Sequence, residues 1–414
     1  MNKKRILYLL SRENVLEPGV LKSQVLNLAG QIIKEKKDTE FFVLDFPSLH
    51  KFLKYFRNYH SIMKYARGLG IKLIIIPILP IGRSIMPIWA IPFFLLQTLP
   101  FVLFFSFKYR IKIINARSHL SALLAYASKK FGANIRIVFE IHGPYLLEGV
   151  THGRWESADF DYKFWSVIER ILFAGADYIV VRSSGLLDYV SGIAPKANAS
   201  IIPPSVDTDS FSMSEKERKN GRVELGIDDR FALAYSGSLG SFHRPDFLVE
   251  FYSLIRKYIS SPLLLVITHS DYGALVEGFR NLGVPQNELR VVYNPPELGK
   301  ILPLADASLH VYNDLPITPF VLSAKLGEYL SSGLPVIVTD NLVSTTDLVE
   351  KNQCGVVMNT SDFKYVRSKM QKLVREREKF KKNALKLARN LFSVKVCARR
   401  YLDIYEELIE NNKY

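Results

Sequence analysis

The stretch TPFVLSAKLGEYLSSGLPVIVTD, residues 318–340, joins a loop, a short helix and a strand. Ser323 reads as the residue that caps the helix, Gly333 as the residue just past its end, and Pro335 as the start of the next strand. A helix N-terminus presents backbone N–H groups and a partial positive charge, which suits a phosphate. Lys325 adds a full charge there. Glu328, one turn deeper, offers a carboxylate able to accept from both hydroxyls of a ribose. The same spacing also fits a plain i,i+3 surface ion pair.

Working outward, apolar runs alternate with helical patterns. RILYLLS, FFVLDF, KLIIIPIL, KIINAR, RIVFEIHG and DYIVVRS read as buried strands of a first sheet. FALAYSG, PLLLVITH, LRVVYN, ASLHVYN, PVIVTD and CGVVMN read as those of a second. This alternation predicts an α/β chain with two Rossmann-like, doubly wound parallel sheets. The Pro- and Asp-rich segment IIPPSVDTDSF, residues 201–211, reads as their linker. The expected domains are 1–203 and 204–390, with a C-terminal helix, 391–414, packing back on the first.

The chain has 414 residues, 48% of them hydrophobic, enough for two cores. Two cysteines, Cys354 and Cys397, suggest no disulfide framework and fit a reducing compartment. The start MNKKRILYLLSREN holds only a short apolar run and reads as a first core strand, not a signal peptide. Net charge is +15, and residues 1–200 carry 27 Lys/Arg against 14 Asp/Glu. A basic half suits nucleic acid, an anionic membrane or a phosphorylated substrate. Few interleaved aromatic and basic residues argue for base stacking. Residues 84–107, SIMPIWAIPFFLLQTLPFVLFFSF, carry no charge and approach the length of a membrane span. They fall where a crossover between parallel strands must return to the same sheet, and Pro87, Pro92 and Pro100 are expected to interrupt a helix. The segment reads as partly buried and partly dipped into an anionic membrane surface beside Arg83, Lys108, Arg110 and Lys112.

KLGEYLSSGLPVIV resembles the donor-nucleotide motif of GT-B glycosyltransferases, closest to glycosyltransferase family 4. Glu328 matches the second of two glutamates, the one that contacts the ribose in that family. Phe320 stands where the first is usual. SAKLGEYLSSGLPV is similar to a variant found in surface-polysaccharide enzymes, with Ser323 in place of its proline. YSGSLGSFHRPDF resembles the family's strand, Gly-rich loop and helix. Ser238 and His243 stand where its phosphate-binding cations are usual, and Arg244 is the expected substitute. EIHGPYLLEGVTHG resembles the region of the family's active-site histidine, here His142. PPSVDTDSF resembles its linker.

The resemblance implies a GT-B fold, two Rossmann-like domains facing a central cleft. It implies a retaining glycosyltransferase that uses a nucleotide-sugar, UDP first and GDP second, with no metal or other cofactor. His142, Arg244 and Lys325 are then the catalytic set. Gly19, Gly237, Ser238, Gly240, Tyr293, Leu322, Ser323 and Glu328 are the donor-binding set. Arg117, His119 and Glu148 lie in the acceptor or sugar region, by strands whose ends face the crevice. The implied acceptor is a lipid-linked or polysaccharide glycan, and the implied location is cytoplasmic, peripheral at the inner face of the cell membrane. A non-catalytic membrane-associated protein of this fold and a sugar-nucleotide epimerase are the alternatives. The sequence contains no G-x-G-x-x-G fingerprint, Walker A loop or metal-ligand cluster.

Overall fold

A computed structural model describes residues 3–19, 21–80, 86–240, 245–295, 297–359 and 365–410. The chain forms two compact units, Met1–Ser205 with Val394–Tyr414, and Val206–Ser393.

The first unit is built on a seven-stranded sheet in the order β3-β2-β1-β4-β5-β6-β7. Its strands are β1 (Lys4–Ser11), β2 (Thr39–Phe46), β3 (Lys72–Ile75), β4 (Ile113–Arg117), β5 (Arg136–Ile141), β6 (Tyr178–Val181) and β7 (Ala199–Ile201). All pairings are parallel, with Ile6 of β1 opposite both Phe41 of β2 and Ile113 of β4. The last six residues of β1 are buried in succession, as expected where both faces of a parallel sheet are covered. The C-terminal helix Val394–Glu410 belongs to this unit, and Cys397, Tyr401, Tyr405 and Leu408 sit in its core. β7 is a strand the sequence reading missed. It has three half-buried residues and takes Ile201 from the expected linker.

The second unit holds a six-stranded parallel sheet in the order β10-β9-β8-β11-β12-β13. Its strands are β8 (Phe231–Ser236), β9 (Pro262–Thr268), β10 (Leu289–Tyr293), β11 (Ala307–His310), β12 (Val336–Thr339) and β13 (Gly355–Met358). In each sheet the strand order reverses at its centre, between β1 and β4 and between β8 and β11. In open α/β sheets a ligand crevice lies at the carboxyl ends of the strands at such a reversal.

The proline expectation for the apolar segment needs correction. One helix, Ile91–Lys108, runs through it. Pro92 sits in the first turn, where its missing N–H is not needed. Pro100 lies inside the helix and faces outward. The ring therefore meets no core residue, while Ile91, Phe94, Thr98, Val102 and Ser106 form a buried stripe at helical spacing. Packing of that stripe offsets the hydrogen bond that Pro100 removes. Ile88–Lys108 is long and apolar enough to cross a membrane by length and composition, and 28% of its 18-residue apolar window is buried.

Candidate active site

In the second unit, β8 is followed at once by Gly237, whose φ is +125°, a region that favours glycine. A β-carbon there would lie 2.5 Å from Nζ of Lys325 and 2.3 Å from its Cε. The lysine stem thus rests on the glycine backbone at the switch point. Lys325 stands at the second position of the helix Ala324–Ser331. Tyr329, on that helix, accepts a hydrogen bond from the Ser236 N–H at 2.9 Å and ties the helix to the end of β8.

Lys325 Nζ lies 3.5 Å from Tyr235 Oη and over the rings of Tyr235 and Tyr312, at 4.9 and 5.6 Å. Burial lowers its pKa to about 7, with Glu328 acting against that shift. Burial likewise raises Glu328 to about 7, opposed by Lys325. A cation held so close to neutrality responds strongly to an incoming anion. Ser323 occupies the capping position with extended backbone, but its side chain makes no capping bond. The first turn is therefore not closed by its own side chain.

Tyr235 Oη donates to the Ser238 carbonyl at 2.7 Å, which shapes the loop after β8. Among the described residues nothing lies within 4 Å of a β-carbon built on Gly240. Tyr293 ends β10 with its ring half exposed, 5.9 Å from that of Tyr272. Leu322 has its side chain buried in the hydrophobic core, so only its backbone is left for a ligand. His243 and Arg244 lie outside the described residues.

In the first unit the centre is a residue the sequence reading passed over. Glu140, on β5, is fully buried. It receives hydrogen bonds from Arg117 Nη1 at 3.1 Å, Tyr401 Oη at 2.8 Å and Asn115 Nδ2 at 3.0 Å. Tyr8 and Arg182 also donate to it. Burial alone would raise this carboxyl, but Arg182, His142 and Arg117 together hold it well below the usual carboxylate range. His142 Nε2 lies 2.7 Å from Glu140 Oε1. Burial, then Arg117 and Arg182, lower the His142 pKa to about 3 against the pull of Glu140. The imidazole is neutral. Its contact with a carboxylate puts the proton on Nε2 and leaves the Nδ1 lone pair as an acceptor.

Two residues assigned to the acceptor region are corrected. Arg117 is buried, with Nε on Glu13 at 3.0 Å, Nη1 on Glu140 and Nη2 on Gln24 at 3.2 Å. His119 is buried against Glu169 at 2.8 Å and stacked on Tyr145 at 4.8 Å. Both are engaged inside the fold. Glu148 is half-buried, with Oε1 only 2.1 Å from where a β-carbon on Gly143 would stand. Burial raises its pKa, opposed by His119 and His152. It thus lies beside the His142-Gly143 turn. Gly19, after β1, has φ +145° and no atom within 4 Å of its β-carbon position.

Among the described residues no group of three or more His, Cys, Asp or Glu gathers to hold a metal. Glu140 and Arg182 left one signal in the sequence: each is a charge within or just after an otherwise apolar strand.

Residues 64–210 match the sequence model of Glycosyltransferase Family 4. No curated protein sequence matches the chain. Over the whole chain the fold is similar to a glycosyltransferase from Rickettsia africae ESF-5, with TM-score 0.70, 16% identity, and 99% of this chain and 100% of that one covered. It is similar to Anabaena HepE in complex with UDP, with TM-score 0.70, 14% identity, and 97% and 100% covered. It is also similar to WaaG, a glycosyltransferase involved in lipopolysaccharide biosynthesis, with TM-score 0.60, 14% identity, and 97% and 99% covered. The chain therefore has the GT-B fold of these glycosyltransferases throughout, and residues 64–210, within and just past the first unit, carry the Glycosyltransferase Family 4 match.

Proposed function

We propose that this glycosyltransferase moves a sugar, with retention of anomeric configuration, from a UDP-sugar to a lipid-linked or polysaccharide acceptor in cell-surface glycan biosynthesis. The observation that carries the reading is Lys325 lying on Gly237 at the β8/β11 switch point, beside an uncapped helix N-terminus. The C1–O bond to the β-phosphate breaks, and the acceptor oxygen bonds to C1 on the same face. The acceptor proton passes to the departing phosphate oxygen. Charge developing on that phosphate is met by Lys325, the helix N-terminus and Arg244, as preorganised electrostatics. Glu328 grips the ribose. In the first unit, His142 offers its Nδ1 lone pair as an acceptor for a hydroxyl. No metal takes part.

HepE, solved with UDP and with UDP-glucose, supports uridine as the base. WaaG supports a surface glycan as the product. In this reading residues 204–390 bind the donor and residues 1–203 face the acceptor at the inner membrane surface. The outer face of Ile91–Lys108, with Phe93, Leu96, Phe104 and Phe107 exposed, supports that side as the membrane contact.

The test is turnover of a panel of UDP- and GDP-sugars by purified protein in EDTA, with product configuration read by NMR. Release of a retained product from a UDP-sugar is expected. Absence of hydrolysis or transfer for every donor, with or without divalent cations, removes the reading. Glu328→Ala is expected to weaken UDP binding by about 1.5–3 kcal/mol, tenfold or more, as lost hydrogen bonds to a charged group do. Unchanged calorimetric affinity removes Glu328 from the site.

Binding also moves protons. A diphosphate favours charged Lys325 and lifts its pKa above about 7, so protons are taken up near neutral pH. Ribose hydroxyls favour ionised Glu328 and release a proton, which masks the uptake. Calorimetry of Glu328→Gln in buffers of differing ionisation enthalpy is expected to show net uptake, absent from Lys325→Met.

A further inference from the structure

Between Asp45 and Glu140 the chain runs for 94 residues with 14 Lys/Arg and no Asp or Glu. The helices Leu49–Lys54 and Tyr59–Gly68, joined by the turn Phe56–Asn58, open this stretch. Residues 49–68 contain five Lys/Arg. Their inner side is apolar and packs on the core through Phe52, Tyr55, Tyr59, Ile62 and Met63. Their outer side is not simply polar. Leu49, Leu53 and Phe56 fall at a spacing of four and three, with Leu53 61% and Phe56 49% exposed. Lys54, Arg57, Lys64 and Arg67 are exposed among them.

This patch is continuous with the outer face of Ile91–Lys108. The Leu49 N–H donates to the Ile78 carbonyl at 2.8 Å. The Leu79 N–H, one residue on, donates to Gln97 Oε1 at 2.8 Å, and Leu79 is itself exposed. The ring of Phe101 lies 6.4 Å from that of Phe46, at the end of the strand that leads into Leu49. Exposed apolar residues on two elements therefore join, and the cations are concentrated on the 49–68 side. Apolar contiguity of this kind marks an interaction surface. Outward Leu and Phe interleaved with Lys and Arg, with no acid in the segment itself and Glu17 at its edge held by Tyr55 at 3.2 Å, match an anionic interface where apolar groups sink and cations reach headgroup phosphates.

We propose that residues 49–68 form a second membrane contact, docking on the anionic headgroups of a lipid bilayer next to the apolar face of Ile91–Lys108. The inference rests on the membrane-facing reading of that helix and adds to it a second group of cations, apart from Lys108, Arg110 and Lys112 at the helix's end. The helix supplies apolar depth and the 49–68 pair supplies most of the preference for anionic lipid. Two contacts also hold the unit at one orientation to the bilayer, where a single helix leaves it free to roll.

Flotation of the full chain with phosphatidylcholine vesicles, with and without about one third phosphatidylglycerol, tests this. The wild type is expected to favour the anionic vesicles and to lose that preference at high salt. Lys54→Glu with Arg57→Glu is expected to lower partitioning onto anionic vesicles by about tenfold or more and to flatten the salt dependence. Leu53→Asp with Phe56→Asp is expected to lower it on both vesicle types. All four side chains are exposed, so melting temperature and vesicle-free donor turnover are expected to stay at wild-type values. Wild-type flotation by the Lys54/Arg57 variant overturns the inference. So does equal wild-type flotation on neutral and anionic vesicles, or binding of the basic patch to RNA without flotation. A Leu96→Asp/Phe104→Asp variant separates the two ideas. If it alone loses flotation, the helix reading stands and the 49–68 contact falls.

Discussion

Lys325→Met will lower kcat/KM by about 10²–10³-fold and leave the fold intact, the size seen when one preorganised charge or donor is removed from a transition state. Methionine keeps most of the stem that lies over Tyr235 and Tyr312 and against Gly237. What it removes is the charge. Burial has pushed the ammonium close to neutrality, so its desolvation is already met in the folded protein. An arriving diphosphate restores full charge in a site with little water, where Coulomb attraction is stronger than at a surface. The interaction strengthens further as the leaving group gains charge, so kcat is expected to fall more than UDP affinity. Steady-state kinetics with a saturating donor, beside calorimetry with UDP, separates the two. A variant with wild-type kcat would place the lysine outside the chemistry.

Glu140→Ala is expected to destabilise the first unit by about 3–5 kcal/mol, because it leaves buried charges without their counter-ion. Arg117 keeps Glu13, but Arg182 loses the one carboxylate it pairs with among the described residues, and the hydroxyls of Tyr8 and Tyr401 lose their acceptor. For a unit of this size the loss corresponds to a drop in melting temperature on the order of 10 °C. The sign with pH follows from a carboxyl held below its usual range. Its contribution is present above the unfolded pKa and is lost as pH falls through the lower folded one. The wild type and the variant should therefore converge in strong acid. Glu140→Gln keeps an acceptor for His142 Nε2 but loses the charge, and is expected to fall between them. A melting temperature for the alanine variant within about 2 °C of wild type would show that the cluster does not hold the unit together.

The legible part of this protein was its sheets. Twelve of the thirteen strands stand out as apolar runs, because parallel strands covered on both faces lack the alternation that hides a strand among polar residues. β7 escaped because three half-buried residues carry too little pattern. The helix Ala324–Ser331 was legible from Gly333, Pro335 and the i,i+3 pair Lys325 and Glu328, all local features. The helix through Pro100 was not, since a proline's cost depends on which way it faces.

The sequence alone therefore settled the fold class and the helix that offers its N-terminus in the second unit, since local spacing and continuous hydrophobicity suffice for these. Only the tertiary structure decided which charged side chains have their hydrogen bonds taken up inside the fold. Arg117 ends a strand and His119 follows it, as His142 follows the next, and their donors are taken up inside the fold by Glu13, Glu140, Gln24 and Glu169. Glu140 draws its partners from residues 8, 115, 117, 142, 182 and 401, brought together by four strands and the returning C-terminal helix. A position along the chain tells which edge of a sheet a residue occupies. Whether its hydrogen bonds are already made depends on neighbours hundreds of residues away, and packing alone chooses those.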